Sequence, residues 1–350
     1  MAHTHIVGCI LGTAVGDAIG LPYEGLSRRR AAKLFGKPEG HHFFFGRGMV
    51  SDDTEHTCMV AQSLIASGGE VDSFRRHLGW RFRFWLLGLP AGIGMATLRS
   101  TLRLWIGFGP RKSGVFSAGN GPAMRAAILG AAIDDPQSLR ELVQASTRIT
   151  HTDPKAEFGA FAVALAAQLA RQNETVVADY FLDQLRSSLG SDGDELSSLI
   201  ENAAKSAENG QSTESFADSL GLSKGVSGYV YHSVPVAIHA WFAHQHYFRA
   251  AVTSVIQCGG DTDSTGAIVG GIVGTTVGKN GIPAEWLNHL FEWPLSVSWM
   301  ERLGVQVDSS IGSDAKDRPI ALPVWGLLPR NLFFLLVVLY HGLRRLFPPY

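Results

Sequence analysis

The chain has 350 residues, of which 45% are hydrophobic and 17% are charged, with a formal net charge of −1 at pH 7. This composition is sufficient for a large core, and a near-zero net charge provides no general attraction to nucleic acid, so we expect no nucleic-acid partner. The three cysteines, Cys9, Cys58 and Cys258, form neither a CxxC pair nor a disulfide framework, so we expect a reducing, cytoplasmic setting.

The first apolar stretch, residues 6–19, is predicted to be a core helix rather than a signal peptide, because no Lys or Arg precedes it and Asp17 interrupts it. Its glycines repeat every four residues, and a second stretch near the C-terminal third has the same spacing. The two sets are Gly8, Gly12, Gly16 and Gly20, and Gly266, Gly270, Gly274 and Gly278. On helices, each set forms one stripe without side chains, so we predict that two helices approach closely along these stripes. If they are antiparallel, Glu24 lies beside the start of the second helix.

Two acidic clusters, each followed by an apolar stretch, carry most of the chemical information. The first is Ser51-Asp52-Asp53-Thr54, and the second is the segment GGDTDSTG at residues 259–266. Carboxylate and hydroxyl oxygens suit magnesium or manganese, and two such clusters together suit a pair of ions roughly 3.5–4 Å apart. The alternative is that each cluster caps a helix, with Asp52 or Asp261 as the cap. A cap accounts for one carboxylate in each cluster and leaves the second unexplained, so we expect a binuclear metal site.

Most of the remaining chain is predicted to be helical. Apolar positions have helical spacing in residues 156–172, 181–189 and 195–207, and no convincing strand pattern or tandem repeat appears. We therefore expect one compact all-α domain over residues 1–325 and an apolar, basic C-terminal extension over residues 326–350. The nine apolar residues 332–340 are far fewer than the about 20 that a spanning helix needs. A helix packed on the domain surface is favoured, and a peripheral membrane contact is the alternative.

The segment at residues 117–122 has the composition of an anion-binding loop. Its glycines expose backbone N–H groups, and Pro122 suits the first turn of a helix. We predict a helix N-terminus that binds a diphosphate, the alternative being an ordinary junction between a loop and a helix.

Five segments, taken in order, closely resemble the ADP-ribosylglycohydrolase family. They are GTAVGDAIGLPYE at residues 12–24, SDDT at 51–54, GNGPAMR at 119–125, THTD at 150–153 and GGDTDSTG at 259–266. The resemblance implies a compact, orthogonal multi-helix, all-α fold with a binuclear site, usually for magnesium or manganese. It also implies an enzyme that removes ADP-ribose from a modified acceptor.

The same resemblance assigns roles to individual residues. It implies metal ligation by six residues: Ser51, Asp52, Asp53, Asp261, Asp263 and Ser264. Asp263 is expected to bridge the two ions, and Glu24 falls at the family's acid/base glutamate, so Glu24, Asp52 and Asp53 are the expected catalytic residues. The expected ADP-ribose contacts are Ser117, Gly119, Asn120, Gly121 and His151. Some relatives have an aromatic residue near position 118, and because Ala118 cannot stack on adenine, Phe116 is the expected substitute.

The expected reaction breaks the bond at the anomeric ribose carbon through an oxocarbenium-like transition state. The cations are expected to hold the ribose hydroxyls while Glu24 transfers a proton. One alternative is a hydrolase of a small ADP-ribosyl metabolite, and another is a non-catalytic ADP-ribose-binding or structural protein on the same scaffold. The choice of acceptor is expected to depend on the loops at residues 43–48 and 91–114.

Overall fold

The computed structural model describes residues 3–311 and 317–348, with side chains from His5 onward. None of these residues lies in a β-strand, and they form only isolated bridges, so the all-α prediction is confirmed. The α-helices are α1 His3–Gly20, α2 Arg28–Phe35, α3 Asp52–Ser67, α4 Val71–Leu87, α5 Met95–Trp105, α6 Ala127–Ala132, α7 Pro136–Arg148, α8 Pro154–Gln172, α9 Ala178–Leu189, α10 Asp194–Glu208, α11 Thr213–Ser219, α12 Val230–Ala243, α13 Phe248–Gln257, α14 Thr262–Gly281, α15 Ala284–Asn288, α16 Val297–Ser310 and α17 Leu327–Arg344.

The centre of the fold is the antiparallel pair α1 and α14, which pack along their glycine stripes. A Cβ atom added to Gly12 would lie 2.2 Å from the carbonyl oxygen of Gly270, and one added to Gly16 would lie 2.0 Å from that of Gly266. No side chain larger than hydrogen fits at such distances, because a Cβ atom there would overlap the opposing backbone. Gly20 in turn faces the carbonyl oxygen of Thr262, so the end of α1 meets the start of α14. The predicted pairing is confirmed, and the two helices are antiparallel.

The other long helices surround this pair. Helices α3, α6 and α16 pack on α1, whereas α8, α12 and α13 pack on α14. The helices predicted from residues 156–172, 181–189 and 195–207 are α8, α9 and α10, each observed within three residues of its predicted ends. The cysteines at positions 9, 58 and 258 are buried free thiols in this core.

Helix α17 lies on the surface of the domain and contacts it along one face. Phe334 and Val337 pack on a small apolar cluster with Leu21, Phe43 and Met49, separate from the main core. On the same face, the buried Arg330 forms ion pairs with both Glu55 of α3 and Glu292.

Among the described residues, two segments are long and apolar enough to cross a membrane by length and composition. The apolar window in His5–Tyr23 is wholly buried, as expected of a core helix, whereas only 33% of the apolar window in Val324–Arg344 is buried. Most of the apolar residues of α17 therefore lie on the face that points away from the domain.

Candidate active site

The ends of α1, α3 and α14 meet at one cleft of about 550 Å³. The close packing of α1 against α14 brings Glu24, just beyond α1, to the first turn of α14, and α3 begins beside both. The cleft is lined by Glu24, Asp52, Asp53, Asp261, Asp263 and Ser264, together with Ser117, Gly119, Asn120, Gly121 and His151. The structure therefore brings together the two acidic clusters and the glycine-containing loop, which are more than 130 residues apart in places.

Ser51 lies beneath the cleft and caps α3. Its side-chain oxygen accepts a hydrogen bond from the Asp53 backbone N–H at 3.3 Å, and its hydroxyl donates to Asp53 Oδ2 at 3.0 Å. The alternative in which Asp52 caps this helix is wrong, because the N-cap position belongs to Ser51 and Asp52 is the first helical residue. At α14, Asp261 is the N-cap residue but its side chain makes no capping hydrogen bond. Its Oδ2 instead accepts from Asn120 Nδ2 at 2.7 Å.

Asp17 is a buried carboxylate at this site that the sequence analysis did not assign to it. Its Oδ2 accepts hydrogen bonds from the Thr54 hydroxyl at 2.6 Å and from the Ser51 backbone N–H at 2.9 Å. Burial raises the pKa of Asp17 to about 7 despite these hydrogen bonds. Asp17 is thus hydrogen-bonded to both ends of the first acidic cluster, Ser51 and Thr54, and fixes the start of α3 relative to α1. The motif GTAVGDAIG contains this residue. The predicted place of α1 in the middle of the fold was the signal that could have identified Asp17 as a buried site residue.

Like charges crowd the cleft. Burial raises the pKa of Asp53 well above its usual range, and the nearby Asp17, Asp52 and Asp261 raise it further. The pKa of Asp263 is raised in the same way, first by burial and then by Glu24, Asp261 and Asp53. Glu24 is exposed at the cleft mouth, yet its pKa is also raised, first by its loss of hydration and next by Asp261. A cation in the cleft would relieve this mutual repulsion.

The residues present fit divalent cations in chemical type. The donors are carboxylates and hydroxyls, and Asp53 Oδ1 is buried without a hydrogen-bond partner. In the part of the chain that the structure describes, no three His, Cys, Asp or Glu side chains are grouped to hold one ion. Asp261 Oδ2 accepts a hydrogen bond from Asn120, and Asp263 Oδ1 accepts from the Ser264 backbone N–H at 2.9 Å. Such hydrogen bonds are compatible with cation binding, because each carboxylate keeps further lone pairs.

The wall opposite the carboxylates is the loop at residues 117–121, which Arg125 holds in place. This buried arginine donates to the carbonyl oxygen of Gly121 at 3.0 Å and to the Thr150 hydroxyl at 2.7 Å. The same hydroxyl shares a 2.9 Å hydrogen bond with His151 Nδ1. Burial lowers the pKa of His151 to about 3, so the ring is neutral, and its Nε2 lies close to Gly119. Arg125 is a second residue whose positioning role the sequence analysis missed, although it ends the motif GNGPAMR.

Two expectations about this wall stay predictions. The loop opens into the short 3-10 helix Ala123–Arg125, which precedes α6, and binding of a diphosphate at this helix N-terminus stays a prediction. Within the loop, the backbone N–H of Gly119 donates to the Ser117 hydroxyl and that of Asn120 donates to the carbonyl oxygen of Gly228. Phe116 is 79% exposed and does not line the cleft. Its role as the adenine contact stays a prediction.

The two candidate acceptor loops take different positions. Residues Gly92, Gly94, Met95, Ala96 and Thr97 line the cleft. The loop at residues 43–48 does not line it, and Phe43 and Phe44 pack against α17.

Comparisons with known proteins agree with this arrangement of helices. The family model described as ADP-ribosylglycohydrolase matches residues 2–316. The ADP-ribosyl-[dinitrogen reductase] glycohydrolase of Rhodospirillum rubrum is 28% identical over 299 residues, which cover 82% of this chain and 90% of that protein. The ADP-ribosylhydrolase ARH3 of Gallus gallus is 27% identical over 326 residues, covering 80% of this chain and 87% of that protein. A solved structure titled "ADP-ribosylglycohydrolase-related protein complex" is 25% identical, with a TM-score of 0.68 over 88% of this chain and 98% of that chain.

The chain belongs to the ADP-ribosylglycohydrolase family, whose model matches nearly its whole length. It is an ADP-ribosylglycohydrolase enzyme, and hydrolysis of ADP-ribose from an acceptor is its activity.

Proposed function

We propose that the enzyme uses two divalent cations, magnesium or manganese, to hydrolyse the N- or O-glycosidic bond between the anomeric ribose carbon of ADP-ribose and its acceptor. The observation that carries this proposal is the convergence of Glu24 and four aspartates with the loop at residues 117–121 around one cleft. The buried carboxylates of the cleft outnumber the nearby cations Arg125 and Arg345, and such an excess of negative charge suits a site that binds cations. The three buried free thiols favour a reducing compartment, and we propose the cytoplasm.

The proposed ligands are Ser51, Asp52, Asp53, Asp261, Asp263 and Ser264. Bound cations would supply positive charge for the ribose hydroxyls and for the attacking water. Asn120 holds Asp261 through a direct hydrogen bond, and Asp17 holds the backbone of Ser51. These two contacts keep the clusters facing each other.

The proposed proton-transfer residue is Glu24, because it lies at the cleft mouth, where an acceptor must enter. Water adds to the anomeric carbon, the bond from that carbon to the acceptor nitrogen or oxygen breaks, and the leaving atom gains a proton. Loss of hydration and then the nearby Asp261 raise the pKa of Glu24, which favours its protonated form. On the other wall, the loop at residues 117–121 and the neutral ring of His151 would contact ADP-ribose.

The test is release of ADP-ribose from arginine-linked, serine-linked and small-molecule ADP-ribose, measured with magnesium, with manganese and with a chelator. We expect cation-dependent turnover of at least one substrate, lost in Glu24→Gln. The matched control is Glu174→Gln, since Glu174 is an exposed glutamate outside the cleft. Full turnover in chelator would refute the metal dependence, and unchanged turnover in Glu24→Gln would refute the role of Glu24.

A further inference from the structure

The outward face of α17 is a continuous stripe of leucines. Leu328, Leu332, Leu335, Leu336, Leu339 and Leu343 follow helical spacing along the whole helix and are each between 38% and 65% exposed. Exposed apolar surfaces of this extent normally mark an interaction site rather than an ordinary surface. The family match ends at residue 316, so this helix is an addition to the family domain.

Two loops beside α17 add exposed apolar side chains to this surface, and each loop has one residue with a strained backbone conformation. Among the described residues, the non-glycine positions with positive φ are Phe45 and Leu89, at 45° and 53°. Phe45 is 92% exposed, and its ring contacts Phe44, which packs edge-on against Phe333 of α17. Leu89, 64% exposed, follows Gly88, whose carbonyl oxygen accepts a hydrogen bond from Asn331 of α17. Large apolar side chains rarely adopt such backbone conformations, so their presentation to solvent on both sides of one helix points to a function.

The charges and aromatic residues around this surface indicate the partner. From Arg318 to the end of the chain the sequence contains four arginines and no acidic residue. Arg330 is buried in its ion pairs and Arg345 donates to the carbonyl oxygen of Pro22, whereas Arg318 and Arg344 are at least partly exposed. Exposed aromatic rings stand at both ends of α17, with Trp325 at its start and Tyr340 and Phe347 near its end. Leucine-rich faces with arginine and interfacial aromatic rings are typical of helices that lie in the surface of an anionic bilayer.

The buried face of α17 decides between lying on a bilayer and crossing it. Arg330 Nε donates to Glu292 Oε1 at 2.8 Å, and its Nη1 donates to Glu55 Oε1 at 3.2 Å. Removing α17 from the domain would leave two buried carboxylates without their cation, which is strongly unfavourable. The helix therefore stays parallel to the domain surface, with only its leucine face available.

We propose that the leucine face of α17, with the flanking Phe45 and Leu89, docks the enzyme on the surface of an anionic phospholipid membrane. Arg345, at the end of the same helix, donates to the carbonyl oxygen of Pro22 beside Glu24. Helix α17 thus carries the docking face and ends beside the mouth of the cleft. Docking through this face would hold the cleft near the membrane surface.

The test is co-sedimentation of the full-length protein with vesicles of phosphatidylcholine alone and with vesicles of phosphatidylcholine and phosphatidylserine in equal parts. We expect sedimentation with the mixed vesicles and an about fivefold lower bound fraction for Leu336→Glu, because the change puts a charge on the exposed leucine face that would contact the bilayer. Val177→Glu is the matched control, since Val177 is 63% exposed and Leu336 is 65% exposed. Val177→Glu should bind like the wild type.

Phe45→Glu keeps the test decisive if Leu336→Glu fails to fold, because Phe45 stands at an exposed loop tip, and it should also lower binding. Absence of sedimentation with the mixed vesicles would overturn the proposal. Equal binding to both vesicle types would overturn the assignment to an anionic surface. A stable dimer that Leu336→Glu converts to monomer, without vesicle binding, would show that a second copy covers this face.

Discussion

The glycine seam between α1 and α14 and the acidic cleft at its end follow opposite physical rules. Along the seam, backbones touch, with Gly12 against Gly270 and Gly16 against Gly266, so packing is dense. At the end of the seam, buried carboxylates repel one another and raise each other's pKa values. The seam stabilises the fold through close packing. The repulsion between the cleft carboxylates destabilises the fold, a trade-off that is common at functional sites. The rigid seam is what keeps the two unfavourable clusters together.

The largest expected effect is on turnover in the cleft. Asp261→Ala should lower turnover about 1,000-fold, equivalent to about 4 kcal/mol of transition-state stabilisation, because it removes a proposed cation ligand and the partner of Asn120. Steady-state release of ADP-ribose measures this, with circular dichroism to verify the fold. Asp183→Ala, which changes an exposed aspartate of α9, is the control and should retain full turnover. Near-normal turnover in Asp261→Ala would contradict the assigned role.

The next effect concerns the seam. Gly12→Ala should lower the free energy of unfolding by about 3 kcal/mol, because the added Cβ atom overlaps the Gly270 carbonyl oxygen and neither backbone has room to move. Chemical denaturation provides the measurement. Gly342→Ala is the control, since no atom lies within 4 Å of a Cβ atom there and the change should leave stability equal or slightly higher. If Gly12→Ala cost no more than Gly342→Ala, the seam would not be the rigid element.

The pH dependence of stability distinguishes the two regions further, since the buried carboxylates with raised pKa values lie at the cleft end of the seam. The pKa of Asp17 is raised from 3.8 to about 7, so the folded state binds its proton more tightly than the unfolded state does. Stability in chelator should therefore fall as pH rises from about 4 to about 7, the direction that linkage gives for an acid with a raised pKa. Thermal unfolding across this range measures the trend, and added magnesium should reverse it. A rise in stability with pH in chelator would contradict the charge crowding.

The smallest expected effect is a gain in stability. Asp53→Asn removes one of the crowded buried charges and should stabilise the chelated protein by about 1 kcal/mol while abolishing turnover. Thermal unfolding in chelator, paired with the turnover assay, measures both. A destabilised variant would mean that Asp53 contributes to packing more than it contributes to repulsion.

The glycine stripes predicted the central helix pair because, at 3.6 residues per turn, glycines spaced four residues apart lie on one face of a helix. The antiparallel direction was left open by the sequence and is given by the structure. The acidic motifs predicted which side chains line the cleft. Asp17 was not assigned to it, since one polar residue in an apolar helix does not reveal which neighbour it faces. The network of Arg125 with Thr150 and His151 depends on tertiary contacts that no local pattern contains. The conformations at Phe45 and Leu89 run against the local preference of these residues, so only the folded structure reveals them.

The most direct test of the central claim is calorimetric titration of ADP-ribose into the purified enzyme, first with magnesium or manganese and then with a chelator. The account predicts binding that requires the cation and that is lost in Asp261→Asn. Equal binding by the wild-type enzyme in chelator, or no binding to folded protein with either cation, would contradict it.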